Sequence, residues 1–351
     1  MRKMKKERTN HAVSCEHLEK VSPPVSLDEL MNEFILTKKA ERSAERTIND
    51  YLTHFRYFRT WLDNHYPNIK FREITQKTLL EYITFMTNEK LQYDDHSSHQ
   101  HRSKRGIVGL SPMTVNVRIR TLKAFFNWCH RNGHTKTNLA EGIKLQKVDN
   151  DRIMAFTLEQ VQKLLSIPDQ KTYAGFRDFV LMMCLLDTGL RCSELLSLTV
   201  DDINFEELTL TVPWDKAKTR KTRTVPISKK VAKLLAELIQ ENKDFGSNAN
   251  KLFYSAFGNE LTVEAVDEKL REYGKKAGLD GVVRCSPHTF RHTFAVFWIK
   301  SGGDPFSLQS ILGHTDMSMV RRYVRLTQGD VKLKHNQYSP INQLSKGRTS
   351  N

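Results

Sequence analysis

Three short stretches of this chain hold residues whose types and spacing suit the handling of charge on an oxyanion. They are Asp187-Thr188-Gly189-Leu190-Arg191-Cys192-Ser193-Glu194-Leu195, Ser286-Pro287-His288-Thr289-Phe290-Arg291-His292, and Leu312-Gly313-His314-Thr315-Asp316, with Tyr323 nine residues beyond His314. A guanidinium grips two oxygens through its planar fork, which an ammonium cannot. Arg191 and Arg291 come from different stretches and suit a clamp of that kind. Ser286 and Pro287 read as N-cap and first residue of a helix, so His288 and Arg291 share one face of its first turn. That end of a helix favours a phosphate. His314, directly after Gly313, offers a further hydrogen bond. One preorganised donor of this sort is worth about 3–4 kcal/mol of barrier. Taken singly, each piece also has an ordinary reading: Arg191 on the surface, His288 and Arg291 on any helix, Tyr323 packed beside Val320 and Val324.

Two domains must position these residues, and 351 residues suffice for two cores. Residues 1–25 are polar, end in Ser22-Pro23-Pro24 and read as a flexible basic tail; no apolar run follows Met1–Asn10, so a signal peptide is not expected. Four amphipathic helices follow over 26–146. The first opens with a capping box, Ser26 and Glu29, and buries Leu27, Leu30, Met31, Phe34 and Ile35. The second carries Ile48, Tyr51, Leu52, Phe55, Phe58 and Leu62, the third Leu79, Leu80, Ile83 and Met86. The fourth starts at Ser111-Pro112, carries Val115, Ile119, Leu122, Phe126 and Cys129, and stops at Gly133. A polar insertion, 91–109, separates the last two. Its Asp94, Asp95, His96, His99 and His101 include metal-ligand types, but a loop touching DNA phosphates through Arg102, Lys104 and Arg105 is the preferred reading.

Lys147 to Arg152 is a charged linker, and a second domain spans 153–325. The apolar run Phe176–Leu186 reads as a buried helix ended by Thr188-Gly189. Leu208–Val212 and Arg223–Ile227 read as strands around a basic turn, with helices near 228–242, 262–277, 287–301, 304–312 and 317–324. The fold class is therefore mainly α with a small β element. Residues 326–351 form a polar C-terminal tail.

Charge names a class of partner. Fifty-five Lys and Arg against 40 Asp and Glu leave a net charge of +15, and Lys or Arg on DNA releases condensed counterions. Five cysteines, Cys15, Cys129, Cys184, Cys192 and Cys285, are odd in number and lack C-x-x-C spacing. Cys129, Cys184 and Cys192 sit inside apolar helical patterns, which reads as buried thiols of a cytoplasmic protein and not as disulfides or a zinc site, and no stretch approaches a membrane span.

In order and spacing the three stretches resemble the tyrosine recombinase (integrase) family: T-G-L-R-x-x-E-L, H-x-x-R and L-G-H, then a tyrosine. The resemblance covers about 157–325 by motif and, more weakly, 26–145. It implies an N-terminal four-helix DNA-clamping domain and a C-terminal catalytic domain. It makes Tyr323 the nucleophile and Arg191, His288, Arg291 and His314 the groups around the phosphate, with His288 first choice to take the phenol's proton. A lysine in a β-hairpin turn protonates the leaving 5′-oxygen. Counting back from Val225-Pro226 puts Lys218 there, with Lys216 and Lys221 as alternatives because the usual flanking glycines are Ala217 and Thr219. Glu194 would orient the arginine pocket, His292 would be a packed or supporting histidine, and Tyr338 is a weaker rival nucleophile.

The expected reaction is cleavage and rejoining of double-stranded DNA at specific sites through a 3′-phosphotyrosyl link, with neither metal nor ATP. Expected partners are a homotetramer on paired DNA and an accessory recombinase or host factor, with the tail docking on a neighbouring subunit. The basic tail and insertion favour an integrase or transposase of a mobile element over a compact chromosome-dimer resolvase. A type IB topoisomerase-like enzyme and a DNA-binding protein without chemistry are the other readings; the intact residue set speaks against the second.

Overall fold

The computed structural model describes residues 26–92, 106–148, 154–217, 221–244 and 250–325, with 335 and 339–341. The tail 1–25, most of the insertion with its His, Asp and basic residues, Lys218, Tyr338 and most of 326–351 lie outside the described residues. The chain divides into two compact units, Met1–Asp149 and Asn150–Asn351.

The first unit holds α1 (Leu27–Ala40), α2 (Glu45–His65), α3 (Gln76–Asn88) and α4 (Pro112–Arg131). Ser26 and Glu29 close the capping box on α1, and Ser111 caps α4 ahead of Pro112. The core is aromatic: Phe34 meets Tyr51, Phe55, Phe125 and Trp128 edge-on. Two helix stripes differ from the sequence reading. On α3 the buried residues are Thr78, Leu79, Tyr82 and Met86, while Leu80 is 49% exposed. Consecutive positions lie about 100° apart, so Leu79 and Leu80 cannot share a narrow stripe and Tyr82, three residues on, takes the place. On α2, Leu52 is likewise exposed and Trp61 is buried. The ends of the insertion are ordered: Leu91 bridges Val108, and the Gln92 N–H donates to Ile107.

The second unit holds α5 (Leu158–Leu165), α6 (Tyr173–Thr188), α7 (Cys192–Ser197), α8 (Lys229–Asp244), α9 (Val263–Lys276), α10 (Pro287–Lys300), α11 (Pro305–Leu312) and α12 (Met317–Arg325). Strands β1 (Ile203–Asn204), β2 (Thr209–Val212) and β3 (Arg223–Pro226) form an antiparallel sheet in the order β1-β2-β3. β1 is too short to leave a pattern in the sequence. β2 starts one residue later than expected, because Leu208 has a positive φ of 52°. Buried α6 lies at the centre of the main core, and α10, α11 and α12 share a smaller cluster around Val296, Leu308, Leu312, Val320 and Tyr323. Cys129, Cys184, Cys192 and Cys285 are buried free thiols.

Candidate active site

Two helix C-termini converge on one buried arginine. α6 ends at Gly189 and α11 at Gly313, both left-handed caps with φ near 60°. Glycine is needed at both, since a left-handed backbone disfavours a Cβ. At Gly189 a Cβ would also come within 2.4 Å of Phe294. Arg291, on the first turns of α10 and 5% exposed, donates to the Gly189 carbonyl at 2.8 Å and the Leu312 carbonyl at 2.7 Å. Carbonyls at a helix C-terminus carry partial negative charge and suit a guanidinium. Burial, then the neighbouring Arg191, pushes Arg291 down to about 10, so it remains a cation at neutral pH.

Glu194 gathers two more arginines. Its carboxylate is wholly buried on α7 and accepts from Arg191 at 2.9 Å and Arg223 at 2.7 Å. It also accepts from the Arg191 backbone N–H, which caps α7. Burial alone would raise its pKa, but the hydrogen bond and charge of Arg223, with those of Arg191, hold it below 4.5. Arg223, at the start of β3, donates as well to the Ile311 carbonyl at 3.0 Å. Its place here was missed from sequence, where it merged with a basic turn.

His314 follows the Gly313 cap, with its Nε2 2.9 Å from the Arg291 guanidinium. An arginine only donates, so Nε2 accepts and the ring is neutral with its proton on Nδ1. That buried Nδ1 has no hydrogen-bond partner among the described residues. Burial, reinforced by Arg291 and Arg191, pushes His314 down to about 4.

Tyr323 is 1% exposed on α12, and its hydroxyl lies 2.7 Å from His292 Nδ1. Burial raises the phenol's pKa, partly countered by Arg291 and Arg322. Burial, then His288, Arg291 and Arg322, drops His292 to about 4. The histidine within reach of the phenol is thus His292, read from sequence as a packed or supporting residue. His288 is exposed one turn earlier on the same helix. The spacing could not have shown this: four residues apart, His288 and His292 share one helix face, and nothing in the sequence marks which of them meets Tyr323.

Of the alternative lysines, Lys216 is tied to Asp202 at 2.8 Å and Lys221 is exposed. Among the described residues no three His, Cys, Asp or Glu cluster to hold a metal, and no helix is long and apolar enough to cross a membrane. The assembled site is three guanidiniums, one buried carboxylate, two neutral imidazoles and a protonated phenol. It can bind an anion and deliver an oxygen nucleophile to it.

Known proteins resemble this chain in sequence and in fold. Residues 155–329 match the phage integrase family and residues 26–148 its SAM-like domain. The chain is 30% identical over 287 residues to tyrosine recombinase XerC of Alcanivorax borkumensis, covering 80% of this chain and 89% of that one. It is 25% identical over 311 residues to XerC of Chlamydia caviae, covering 86% and 96%. Its fold is similar to the Tn1549 transposon integrase in complex with transposon right end DNA, with TM-score 0.67, 20% identity and coverage of 86% and 99%. It is similar also to XerH recombinase bound to a difH substrate, with TM-score 0.63, 19% identity and coverage of 90% and 84%. With its arginine pocket facing a buried tyrosine, this chain belongs to the phage integrase family of tyrosine recombinases, enzymes that recombine DNA by cutting and rejoining its strands.

Proposed function

We propose that Tyr323 attacks the scissile phosphate while Arg191, Arg291 and His314 hold its non-bridging oxygens, and that Lys218 protonates the leaving 5′-oxygen. The observation that carries this is the phenol held 2.7 Å from His292 within reach of the Arg291 field. His292 is the proposed proton acceptor in place of His288, which stands at the phosphate-favouring first turn of α10 as a donor to the substrate. Burial raises the phenol's pKa and, with nearby cations, pushes His292 down to about 4, so proton transfer between them is uphill before the substrate binds. Transfer is therefore coupled to attack, when the phosphate's charge offsets the cations that depress His292.

Attack joins Tyr323 to the 3′-phosphate as a phosphotyrosyl ester and expels the 5′-oxygen, which takes its proton from Lys218; a 5′-hydroxyl from the partner duplex then attacks the ester and expels Tyr323. Bond energy stays in the ester, so no ATP is needed. Two DNA sites and four protomers, with residues 326–351 reaching a neighbour, complete the reading. The 26–146 and 153–325 segments would be clamp and catalytic domain. The basic residues 1–25 and 91–109 support a mobile-element integrase or transposase; the XerC relatives favour a chromosomal resolvase as the second reading.

The test is covalent trapping. DNA flanking the gene and chromosomal candidate sites are nicked near the cleavage point and incubated with protein in EDTA. A protein–DNA adduct that survives denaturation and is lost in Tyr323→Phe, with DNA binding retained, supports the chemistry. Adducts on the gene's own flanks support the mobile element, and adducts on chromosomal sites alone support the resolvase. Tight binding without adducts on any site would sink the proposed nucleophile.

A further inference from the structure

Arg223 is the third guanidinium of the pocket, and each of its three nitrogens is engaged by the protein. Nη2 donates to one Glu194 carboxylate oxygen at 2.7 Å and Nη1 to the other at 3.4 Å, while Nε donates to the Ile311 carbonyl at 3.0 Å. Its side chain is 10% exposed. A guanidinium so occupied has little left to offer a substrate, so its part is to hold other groups. The backbone beneath it is fixed by the sheet: Arg223 begins β3 and pairs with Val212 of β2.

It holds two halves of the phosphate clamp that are mounted on separate helices. On one side is Glu194 of α7, whose oxygens also accept from the Arg191 side chain at 2.9 Å and from its backbone N–H at 3.1 Å. On the other side is the last turn of α11. There the Ile311 carbonyl accepts from Arg223, and the next one, of Leu312, accepts from Arg291 at 2.7 Å. His314 follows, with its Nε2 2.9 Å from that same Arg291 guanidinium. Gly313 admits the contact. A Cβ on it would stand 3.0 Å from Arg223 Nε and 3.1 Å from Cδ and Cζ, so a side chain there would press on the guanidinium as well as strain the left-handed turn.

We propose that Arg223 is a positioning residue for cleavage, a tie that sets the Arg191 side of the clamp at a fixed distance from the Arg291 and His314 side. The proposal rests on those three residues holding the scissile phosphate, and it gives Arg223 no contact with DNA. Both halves must meet one phosphate, and a displacement of about 1 Å costs about 10²-fold in rate. A guanidinium suits the role because its Nε and Nη edges donate in different directions from one rigid plane, whereas an ammonium is a single nitrogen on a flexible stem. Arg223→Lys therefore keeps positive charge beside buried Glu194 while giving up the Ile311 carbonyl.

The full chain carrying Arg223→Lys is compared with wild type in three measurements. With DNA saturated, adduct formation should slow by about 10²-fold while duplex affinity stays at the wild-type value. A scissile phosphate with sulfur in place of the bridging 5′-oxygen, a leaving group that needs no proton, should leave that deficit in place. Without DNA, the amides of 311–314 should exchange hydrogen roughly fivefold faster, with exchange elsewhere in the second unit unchanged. A wild-type rate of adduct formation, or unchanged exchange at 311–314, would overturn the proposal. So would recovery with the sulfur leaving group, which would place the effect on Lys218 in the adjoining turn. A matching fall in affinity would make Arg223 a DNA contact instead, and faster exchange throughout the unit would make it a packing residue only; either result sinks the tie. If wild type itself forms no adduct, the proposed nucleophile has failed, and exchange at 311–314 still decides whether Arg223 ties α11 to α7.

Discussion

Replacing Glu194 by Gln removes the one negative charge among three guanidiniums. The carboxylate is wholly buried, and its two oxygens hold Arg191 at 2.9 Å and Arg223 at 2.7 Å. A glutamine keeps a single acceptor oxygen and turns an NH2 toward an arginine that can only donate. Removing one partner of a buried ion pair costs about 3–5 kcal/mol, chiefly because the partners stay buried and uncompensated. For a unit of this size each kcal/mol moves Tm by about 2–4 °C, so the catalytic unit should melt roughly 6–20 °C lower. Calorimetry reads this, with the first unit's transition as internal control. Covalent trapping should slow by about 10²–10³, the cost of losing one preorganised donor from the clamp. A Glu194→Gln protein that melts within about 2 °C of wild type and forms adduct at the same rate would refute the claim that this carboxylate organises the pocket.

Acid should destabilise the protein in two windows. His292 and His314 are each pushed down to about 4 from 6.5, so the unfolded chain takes up their protons first. Their neutral forms stabilise the fold fully above pH 6.5, and this is lost as pH falls toward 4, at most about 3 kcal/mol for each. Glu194 is held below 4.5, so its contribution is present above pH 4.5 and fades as pH drops further. Urea midpoints measured from pH 7 to 4 should fall in wild type and flatten in His292→Asn with His314→Asn; equal slopes would disprove it. Gly189→Ala forces a left-handed alanine against Phe294 and should cost about 2–4 kcal/mol in chemical denaturation, with cleavage impaired through the carbonyl that holds Arg291. Lys218→Ala should slow cleavage in the trapping assay and recover with a leaving group that needs no proton; Lys216→Ala, which only loses its bond to Asp202, should cleave near the wild-type rate. The opposite pattern would move the general acid to Lys216.

Much of this protein is legible along the chain. Local signals are short-range: Ser26 with Glu29, Ser286 with Pro287, and glycines at 189 and 313 each fix a helix end within a few residues. The helix order follows from them, as does the family resemblance, because motif order survives without knowledge of packing. Stripes were less secure wherever two neighbouring positions were both apolar. Leu79 and Leu80 look alike in sequence, and only the rotation of α3 against its neighbours decided that Tyr82 goes inward.

The sequence by itself determined which residue types are available: two arginines and two histidines in motif positions, a tyrosine nine residues after His314, and a basic composition. Tertiary structure decided which of them touch. Arg223 reaches Glu194 from 29 residues away, and Arg291 finds carbonyls 102 and 21 residues distant. Tyr323 meets His292 across 31 residues, not the histidine that the motif favours. No periodicity encodes such pairs, because they depend on how α6, α10, α11 and α12 cross once their apolar faces are buried. Hydrogen bonding then selects, among nearby polar groups, the partners that the packed backbone brings within about 3 Å.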